Sequence, residues 1–215
     1  MNHLAHCFLA GPDPELVAGS LLGDFWRGPL DPAWPPRLAR GVRLHRSVDS
    51  WTDAHPATLL ARRRFEPPFR RYAGILLDVW FDHLLARDFA RWSGGETLRA
   101  FADRCHAVLL RAVDGPAAFA WPPAFVVYVH RLAQYDGLVA YAEASHAEAV
   151  LERIGRRLSR PNPLATATPV LESLQAPLER DFEALMPTLI DYARSEEHAP
   201  AGAPSAAIRE ASDRA

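Results

Sequence analysis

Two carboxylates and an imidazole lie close together in the apolar stretch 75–85. Asp78 and Asp82 are four residues apart, so a helix would place both on one face with Val79, and His83 follows at once. A carboxylate in apolar surroundings is unfavourable unless it is paired, hydrogen-bonded or bound to a metal. Two neighbouring carboxylates also repel each other. We therefore expect a positive group between Asp78 and Asp82, either an arginine or a divalent cation.

A second polar face is predicted in the helical stretch 37–53. His45 and Asp49 are four residues apart there and share their face with Val42. The polar residues that fall on predicted apolar faces are His6, Asp24, His45, Asp49, Asp78, Asp82 and His83.

This set of residue types is suited to binding a divalent cation. Mixed imidazole and carboxylate ligands suit Mn, Fe or Zn, and a larger number of carboxylates favours Mn and Mg. None of the seven residues is a cysteine, which argues against a structural zinc site. A cation held in this way lowers the pKa of a bound water and binds phosphoryl oxygens, as in a helical metal-dependent phosphohydrolase. The alternative is structural, with Asp78 and Arg46 as a buried ion pair.

The spacing of apolar residues predicts helices throughout the chain, and no stretch alternates as a strand would. The predicted helices cover 15–27, 37–53, 70–92, 96–113, 125–134, 136–158 and 177–195. Asp13 and Pro14 have the residue types preferred at a helix N-cap and first position. We predict an all-α fold, with a single compact multi-helix domain over residues 1–195 and a disordered tail, rich in Ala, Pro and Glu, over residues 196–215.

Two glycines interrupt the first of these helices just before Asp24. Gly19 and Gly23 each cost about 1 kcal/mol of helix stability relative to alanine. Their spacing of four residues places them on one face. The pair indicates a close neighbour, either the backbone of a crossing helix or a ligand.

The composition excludes several partners and locations. The net charge is −2, and although all 24 basic residues are arginine, nothing in the charge indicates nucleic acid binding. No apolar run approaches the ~20 residues that span a bilayer, and no secretory signal is recognisable. The two cysteines, Cys7 and Cys105, lack the spacing of a metal site or a disulfide framework. We expect a cytoplasmic protein that binds neither nucleic acid nor membrane.

Arginines are concentrated between the two polar stretches 37–53 and 75–85. The cluster consists of Arg62, Arg63, Arg64, Arg70 and Arg71. A run of like charges is commonly a solvated face. The functional alternative is a docking surface for an acidic partner.

Four segments resemble, in order and spacing, the motifs of the acyl carrier protein phosphodiesterase family, whose members are also called holo-acyl-carrier-protein hydrolases. The segments are 1–6 (MNHLAH), 19–28 (GSLLGDFWRG), 45–53 (HRSVDSWTD) and 77–84 (LDVWFDHL). The resemblance implies an all-helical fold distantly similar to that of HD-domain phosphohydrolases. It also implies a manganese-dependent reaction that removes the phosphopantetheine arm from a serine of holo-acyl carrier protein, which would be both substrate and partner.

The resemblance further implies roles for single residues. The metal ligands, for Mn²⁺ or alternatively Mg²⁺ or Fe²⁺, would be Asp24, His45, Asp78, Asp82 and His83. His6 and His45 match the family's histidines, as ligands or proton donors, and Arg27 and Arg46 match basic positions that would bind the phosphodiester.

Our hypothesis for the mechanism is metal-assisted hydrolysis. The catalytic residues would be Asp24 or Asp49, which orient the attacking water, and His6 or His45, which protonate the leaving alkoxide. The five clustered arginines would dock the acidic carrier protein by charge complementarity.

Two other functions are consistent with the same residues. One is a phosphohydrolase that acts on a nucleotide or another small phosphoester. The other is a non-catalytic helical module that binds carrier proteins. In that module a structural ion-pair core would be formed with Arg46 by His45, Asp49, Asp78 and Asp82.

Overall fold

The computed structural model describes residues 1–116 and 119–198, which form helices and loops without a β-strand. The α-helices of this part of the chain are α1 His3–Leu9, α2 Pro14–Leu22, α3 Pro36–Ala54, α4 Pro56–Arg63, α5 Ala73–Arg87, α6 Phe89–Trp92, α7 Leu98–Asp114, α8 Pro123–Gln134, α9 Gly137–Ala140, α10 Ala144–Arg157, α11 Thr168–Ser173 and α12 Gln175–His198. Short 3₁₀ helices cover Gly23–Phe25, Arg70–Tyr72 and Leu164–Thr166. The predicted all-α fold is confirmed. The similarity to HD-domain proteins stays a prediction.

Several predicted helices have different bounds in the structure. The predicted helix 70–92 is divided into a 3₁₀ turn, α5 and α6, and the predicted helix 136–158 is divided into α9 and α10. The helices α1, α4 and α11 were not predicted, because seven, eight and six residues show too few turns for a clear period. Helix α12 continues to residue 198, into the start of the predicted tail, and residues 199–215 lie outside the described residues.

The predicted start of α2 is confirmed. The Asp13 side chain accepts a hydrogen bond from the backbone N–H of Leu16 at 2.9 Å, and Pro14 is the first helical residue. An N-cap of this kind satisfies one of the N–H groups that the first turn leaves without a partner. Asp13 also pairs with Arg37 at the start of α3, so the same residue joins the two helices.

Helices α2 and α3 cross at a contact between backbones. A Cβ atom on Gly19 would lie 2.2 Å from the carbonyl oxygen of Leu38 and 2.9 Å from Cα of Gly41. A Cβ atom on Gly41 would lie 2.5 Å from the carbonyl oxygen of Leu16. The close neighbour of Gly19 is therefore a crossing helix. This crossing places the end of α2 beside the middle of α3.

Helix α5 lies in the core, where eleven of its fifteen residues are buried. A helix that is apolar on most sides must be covered on most sides. Helices α1, α4, α10 and α12 pack against it. Because α1 packs on both α2 and α5, the N-terminal residues of the chain are held between the polar faces of α3 and α5.

Two expectations from composition can be compared with the structure. Cys7 and Cys105, which lack the spacing of a disulfide framework, are buried free thiols. Among the described helices, none is both long and apolar enough to cross a bilayer.

Candidate metal and active site

His6, His45 and Asp49 converge from two helices. His6 comes from α1, and the other two lie one turn apart on α3. Nε2 of His6 lies 3.1 Å from Oδ1 of Asp49, and Nε2 of His45 lies 3.2 Å from Oδ2. The two imidazole rings stack with centroids 3.9 Å apart. The shared face predicted for His45 and Asp49 is confirmed, and α1 adds His6 to it.

The charges in this cluster follow from burial and from the neighbouring groups. Burial, together with the adjacent His45, lowers the pKa of His6 to about 4, so its imidazole is neutral near neutral pH. Burial alone would raise the pKa of Asp49, but its contacts with His45 and His6 outweigh that effect and hold the pKa below its ordinary value. A neutral imidazole and an ionised carboxylate are the forms in which these residues bind divalent cations.

Several atoms of the cluster are buried without a hydrogen-bond partner. They are Nδ1 and Nε2 of His6, Nδ1 of His45 and Oδ1 of Asp49. The 3.1 Å contact between His6 and Asp49 is therefore short but does not have the geometry of a hydrogen bond. A buried polar atom without a partner costs about 1–3 kcal/mol, so the cluster is incomplete with protein atoms alone.

The cluster fits a divalent cation. One ligand atom from each of the three residues lies within 4.8 Å of the other two. Metal–ligand distances of about 2.0–2.2 Å put adjacent donor atoms about 3 Å apart, which matches the two contacts with Asp49 at 3.1 and 3.2 Å. Two imidazole nitrogens and a carboxylate suit Mn, Fe or Zn. The Asp49 side chain is 42% exposed, so the site opens to solvent on that side.

Helix α2 and the 3₁₀ helix that follows it position both histidines. A Cβ atom on Gly23 would lie 2.3 Å from Cγ and 2.4 Å from Cδ2 of His45, so only glycine lets the ring occupy this place. The hydroxyl of Ser20 donates a hydrogen bond to the carbonyl oxygen of His6 at 3.1 Å. The close neighbour of Gly23 is thus a side chain of the candidate site, whereas that of Gly19 is a helix backbone.

Asp24 lies at the border of the cluster. Its Oδ1 is 3.7 Å from Nε2 of His45, and its Oδ2 is 3.1 Å from Nε2 of His3. Burial would raise the pKa of Asp24, but His3 and His45 outweigh it and lower the pKa to about 2. The structure therefore brings Asp24 together with the three converging residues.

His3 and Tyr128, for which the sequence indicated no role, also reach this border. The hydroxyl of Tyr128, on α8, lies 2.6 Å from Nδ1 of His3. The spacing of three residues between His3 and His6 is a signal that could have identified His3. Tyr128 lies in an apolar helix without a polar pattern, so only the packing of α8 shows its position.

Asp78 contacts the amino group of Met1. Its Oδ1 lies 2.9 Å from that nitrogen, which is also 3.6 Å from Oδ1 of Asp49. Burial raises the pKa of Asp78, although the ammonium group acts in the opposite direction. The positive group expected beside Asp78 is thus an amino group and not an arginine side chain. The role of Asp78 as a metal ligand stays a prediction.

Asp82 is fully buried and accepts three hydrogen bonds from the backbone at the start of α1. The N–H groups of Asn2 and Ala5 donate to Oδ1 at 3.2 and 3.4 Å, and that of Leu4 donates to Oδ2 at 2.7 Å. These N–H groups carry partial positive charge and stabilise the ionised carboxyl group, but burial outweighs them and raises the pKa of Asp82 to about 7. Asp82 therefore anchors α1, and with it His6, on α5. Its predicted role as a metal ligand is not supported by these contacts and stays a prediction.

His83 faces a different part of the molecule. Adjacent helical residues point about 100° apart, and the His83 ring packs on Trp80 with centroids 4.7 Å apart. Its Nδ1 lies 2.8 Å from the carbonyl oxygen of Tyr141. The structure does not bring His83 together with the histidines of the cluster, so its contacts do not support the predicted metal ligation.

Of the two arginines predicted to bind the phosphodiester, Arg27 lies in the loop after Asp24 and Arg46 lies on α3. Arg46 donates hydrogen bonds from Nη2 to the carbonyl oxygens of Trp26 at 2.8 Å and Gly28 at 3.0 Å. Arg27 is exposed. The alternative in which Arg46 neutralises Asp78 is wrong, because its contacts in the described part of the chain are with carbonyl oxygens. Phosphodiester binding by both arginines stays a prediction.

The five clustered arginines divide into two groups. Arg62 pairs with Asp53, and Arg64 binds the buried Asp181 through hydrogen bonds of 2.6 and 2.9 Å. The exposed members, which form no ion pair with the described residues, are Arg63, Arg70 and Arg71. These three arginines are therefore available to a partner protein without the loss of an ion pair within the described part of the chain.

Comparison with known proteins gives one family. The sequence model of the family described as acyl carrier protein phosphodiesterase matches residues 1–189. A protein named acyl carrier protein phosphodiesterase from Escherichia coli O157:H7 (strain EC4115 / EHEC) is 32% identical over 196 residues, which are 90% of this chain and 97% of that protein. Proteins of the same name from Yersinia pestis and Enterobacter sp. (strain 638) are 33% and 31% identical, over 90% and 92% of this chain and 98% and 100% of their own lengths. No solved structure matches the chain.

Proposed function

The chain belongs to the acyl carrier protein phosphodiesterase family, and from this membership we propose that it hydrolyses the phosphodiester between phosphopantetheine and a serine of holo-acyl carrier protein. The products would be the apo carrier protein and free phosphopantetheine. The observation that carries the proposal is the convergence of His6, His45 and Asp49 with buried atoms that lack partners.

We propose that these three residues hold a divalent cation, with Asp24 at its edge. The donor atoms have the types and spacing that Mn²⁺ accepts. Such an ion, when bound, supplies a water of lowered pKa and a positive charge for the phosphoryl oxygens. Both Nε2 atoms point at Asp49, so the geometry favours the histidines as ligands over the proton-donor role that the sequence left open.

The carboxylates and arginines would orient the reactants. Asp24 and Asp49 remain ionised because the neighbouring histidines hold their pKa values down, so each can accept a hydrogen bond from the attacking water. The leaving serine oxygen would take its proton from solvent, which reaches the site beside Asp49. Arg27 and Arg46 would stabilise the negative charge of the phosphodiester.

The test is incubation of holo-acyl carrier protein with the enzyme and Mn²⁺, followed by measurement of its intact mass. We expect loss of the phosphopantetheine mass, and we expect a chelator or the substitution Asp49→Asn to abolish that loss. Asp191→Asn is the matched control, because this carboxylate is 80% exposed on α12. Metal binding with turnover of small phosphodiesters alone would establish a small-substrate phosphohydrolase. Neither binding nor turnover would establish a non-catalytic module.

We place the docking surface for the carrier protein on Arg63, Arg70 and Arg71. The last two lie just before α5, and Asp78 follows Arg71 by seven residues, about 10 Å of helix. The partly exposed Leu59 lies one turn before Arg63 on α4, so an apolar contact adjoins the positive charge. Exposed apolar residues beside arginines are typical of protein interfaces.

Reversing the charge of the exposed arginines distinguishes docking of the carrier protein from hydrolysis of the phosphodiester. Changing all three exposed arginines to glutamate should raise KM for holo-acyl carrier protein by about tenfold at low salt, because charge complementarity mainly accelerates encounter. Hydrolysis of a small diester such as bis(p-nitrophenyl) phosphate should be unchanged. A matched control reverses three exposed arginines of α10, which are Arg153, Arg156 and Arg157. An equal loss on both substrates would contradict the docking role.

A further inference from the structure

A chain of polar contacts leads from α8 to the candidate metal site. The hydroxyl of Tyr128 lies 2.6 Å from Nδ1 of His3 on α1. Nε2 of the same ring lies 3.1 Å from Oδ2 of Asp24, whose Oδ1 faces Nε2 of His45 at 3.7 Å. Three segments far apart in sequence thus meet through one imidazole ring.

The positions of the hydrogen atoms follow from what each group can donate. A tyrosine hydroxyl can donate to an imidazole nitrogen without hydrogen, and the 2.6 Å contact between Tyr128 and Nδ1 of His3 allows this. In that arrangement the hydrogen of the neutral ring is on Nε2, which faces Oδ2 of Asp24 at 3.1 Å and can donate to it.

The ring and backbone of His3 are held on several sides. The Tyr128 ring packs against His3 with centroids 4.7 Å apart and against Phe25, the neighbour of Asp24, at 5.1 Å. The side chain of Asn2 accepts a hydrogen bond from the His3 N–H at 3.0 Å. The His3 side chain is 22% exposed and therefore lines the candidate site as a partly buried residue.

We propose that His3 is a positioning residue that holds Oδ2 of Asp24 and so turns Oδ1 towards His45 and the cation position, and that Tyr128 sets the tautomer this requires. The inference deepens the proposed function and rests on it for its catalytic consequence. Groups that orient the ligands of a metal typically change its affinity or the activity by 10- to 100-fold when they are removed.

Tyr128→Phe tests the arrangement, because it removes the hydroxyl and keeps the ring that packs on His3 and Phe25. We expect a weaker affinity for Mn²⁺ by about tenfold and a kcat lower by about tenfold. KM for the carrier protein should not change, since the docking arginines are untouched. Tyr135→Phe is the matched control, because this tyrosine follows α8 and is 69% exposed.

Two readouts need no turnover. In metal-free protein labelled with ¹⁵N at histidine, two-bond ¹H–¹⁵N spectra should show His3 with hydrogen on Nε2, and Tyr128→Phe should shift the ring nitrogens towards a mixture of tautomers. Calorimetric titration with Mn²⁺ alone measures the affinity. Unchanged ring signals in Tyr128→Phe would overturn the tautomer assignment. Changed signals with unchanged Mn²⁺ affinity would overturn the positioning role.

A second pair of variants leaves Tyr128 intact, so its result does not depend on whether the Tyr128→Phe protein folds correctly. His3→Gln keeps an N–H donor for Asp24, whereas His3→Ala removes it, so glutamine should retain about tenfold more Mn²⁺ affinity than alanine. Equal affinities for the two variants would overturn the inference. If wild-type protein binds Mn²⁺ but leaves holo-acyl carrier protein intact, the proposed function fails, while the spectra and titrations still decide the role of His3.

Discussion

Replacing Gly23 by alanine should displace the His45 ring from the candidate metal site. The new Cβ atom would lie 2.3 Å from Cγ and 2.4 Å from Cδ2 of that ring, whereas carbon atoms in contact are about 3.5 Å or more apart. The ring must therefore move by about 1 Å, the difference between these two distances. Because Nε2 now lies 3.2 Å from Oδ2 of Asp49, the movement would break this contact. A misplacement of about 1 Å can cost on the order of 100-fold in rate.

Gly19→Ala provides the contrast, since its Cβ atom would meet the carbonyl oxygen of Leu38 at 2.2 Å and no site residue. Forcing the backbones of α2 and α3 apart should lower the free energy of unfolding by about 1–3 kcal/mol or more. Urea denaturation measures that loss, and intact-mass assays with Mn²⁺ titrations measure kcat and metal affinity. We expect kcat to fall more in Gly23→Ala and stability to fall more in Gly19→Ala. A Gly23→Ala protein with unchanged kcat and unchanged Mn²⁺ affinity would refute the role given to the His45 position.

Two further predictions concern stability. In metal-free protein, the contribution of His6 to the free energy of unfolding should fall by up to about 3 kcal/mol as the pH drops from 6.5 to about 4, because the unfolded chain then binds a proton that the neutral, buried His6 does not. Asp82, whose pKa is raised by burial, acts in the opposite direction over this range, so the contribution is measured as the stability difference between the wild type and His6→Gln in urea denaturation. A difference that stays constant or grows on acidification would contradict the prediction. Arg64→Ala should lower the free energy of unfolding by about 3 kcal/mol, because Asp181, only 5% exposed, would lose two hydrogen bonds and its counter-charge. The exposed Arg63, changed to alanine, should shift it by no more than about 0.5 kcal/mol, and equal shifts in the two proteins would contradict the division of the arginine cluster.

The sequence predicted the helices that are long and strongly periodic, because periodicity is a local property of the chain. In α3, Leu38, Val42 and His45 are buried on one face, as their spacing requires. The short helices α1, α4 and α11 were missed, since they contain too few turns to show a period. The predicted helix 136–158 is divided at residues 141–143, between α9 and α10, whereas Asp136, with a left-handed backbone and φ of 49°, separates α8 from α9. The apolar pattern reveals neither of these breaks.

The candidate site could likewise be predicted only where it depends on residues that are close in sequence. The spacing of four residues placed His45 beside Asp49 and Asp78 beside Asp82, and the structure keeps both pairs on one helix face. Which group each carboxylate meets could not be read from that spacing. Asp82 meets the backbone N–H groups of α1, whereas Asp49 meets His6.

The order of residues was enough to predict that this protein is all-α and which polar residues share each helix face, because the 3.6-residue period is set by the backbone of a single helix. Which of these faces meet depends on the packing of the helices against one another. This packing turned Asp82 into an anchor for α1, directed His83 to Tyr141, and joined His3 to Tyr128 across 125 residues of chain. Those contacts depend on close packing between distant helices, such as the glycine crossing of α2 and α3, and no local pattern contains that information.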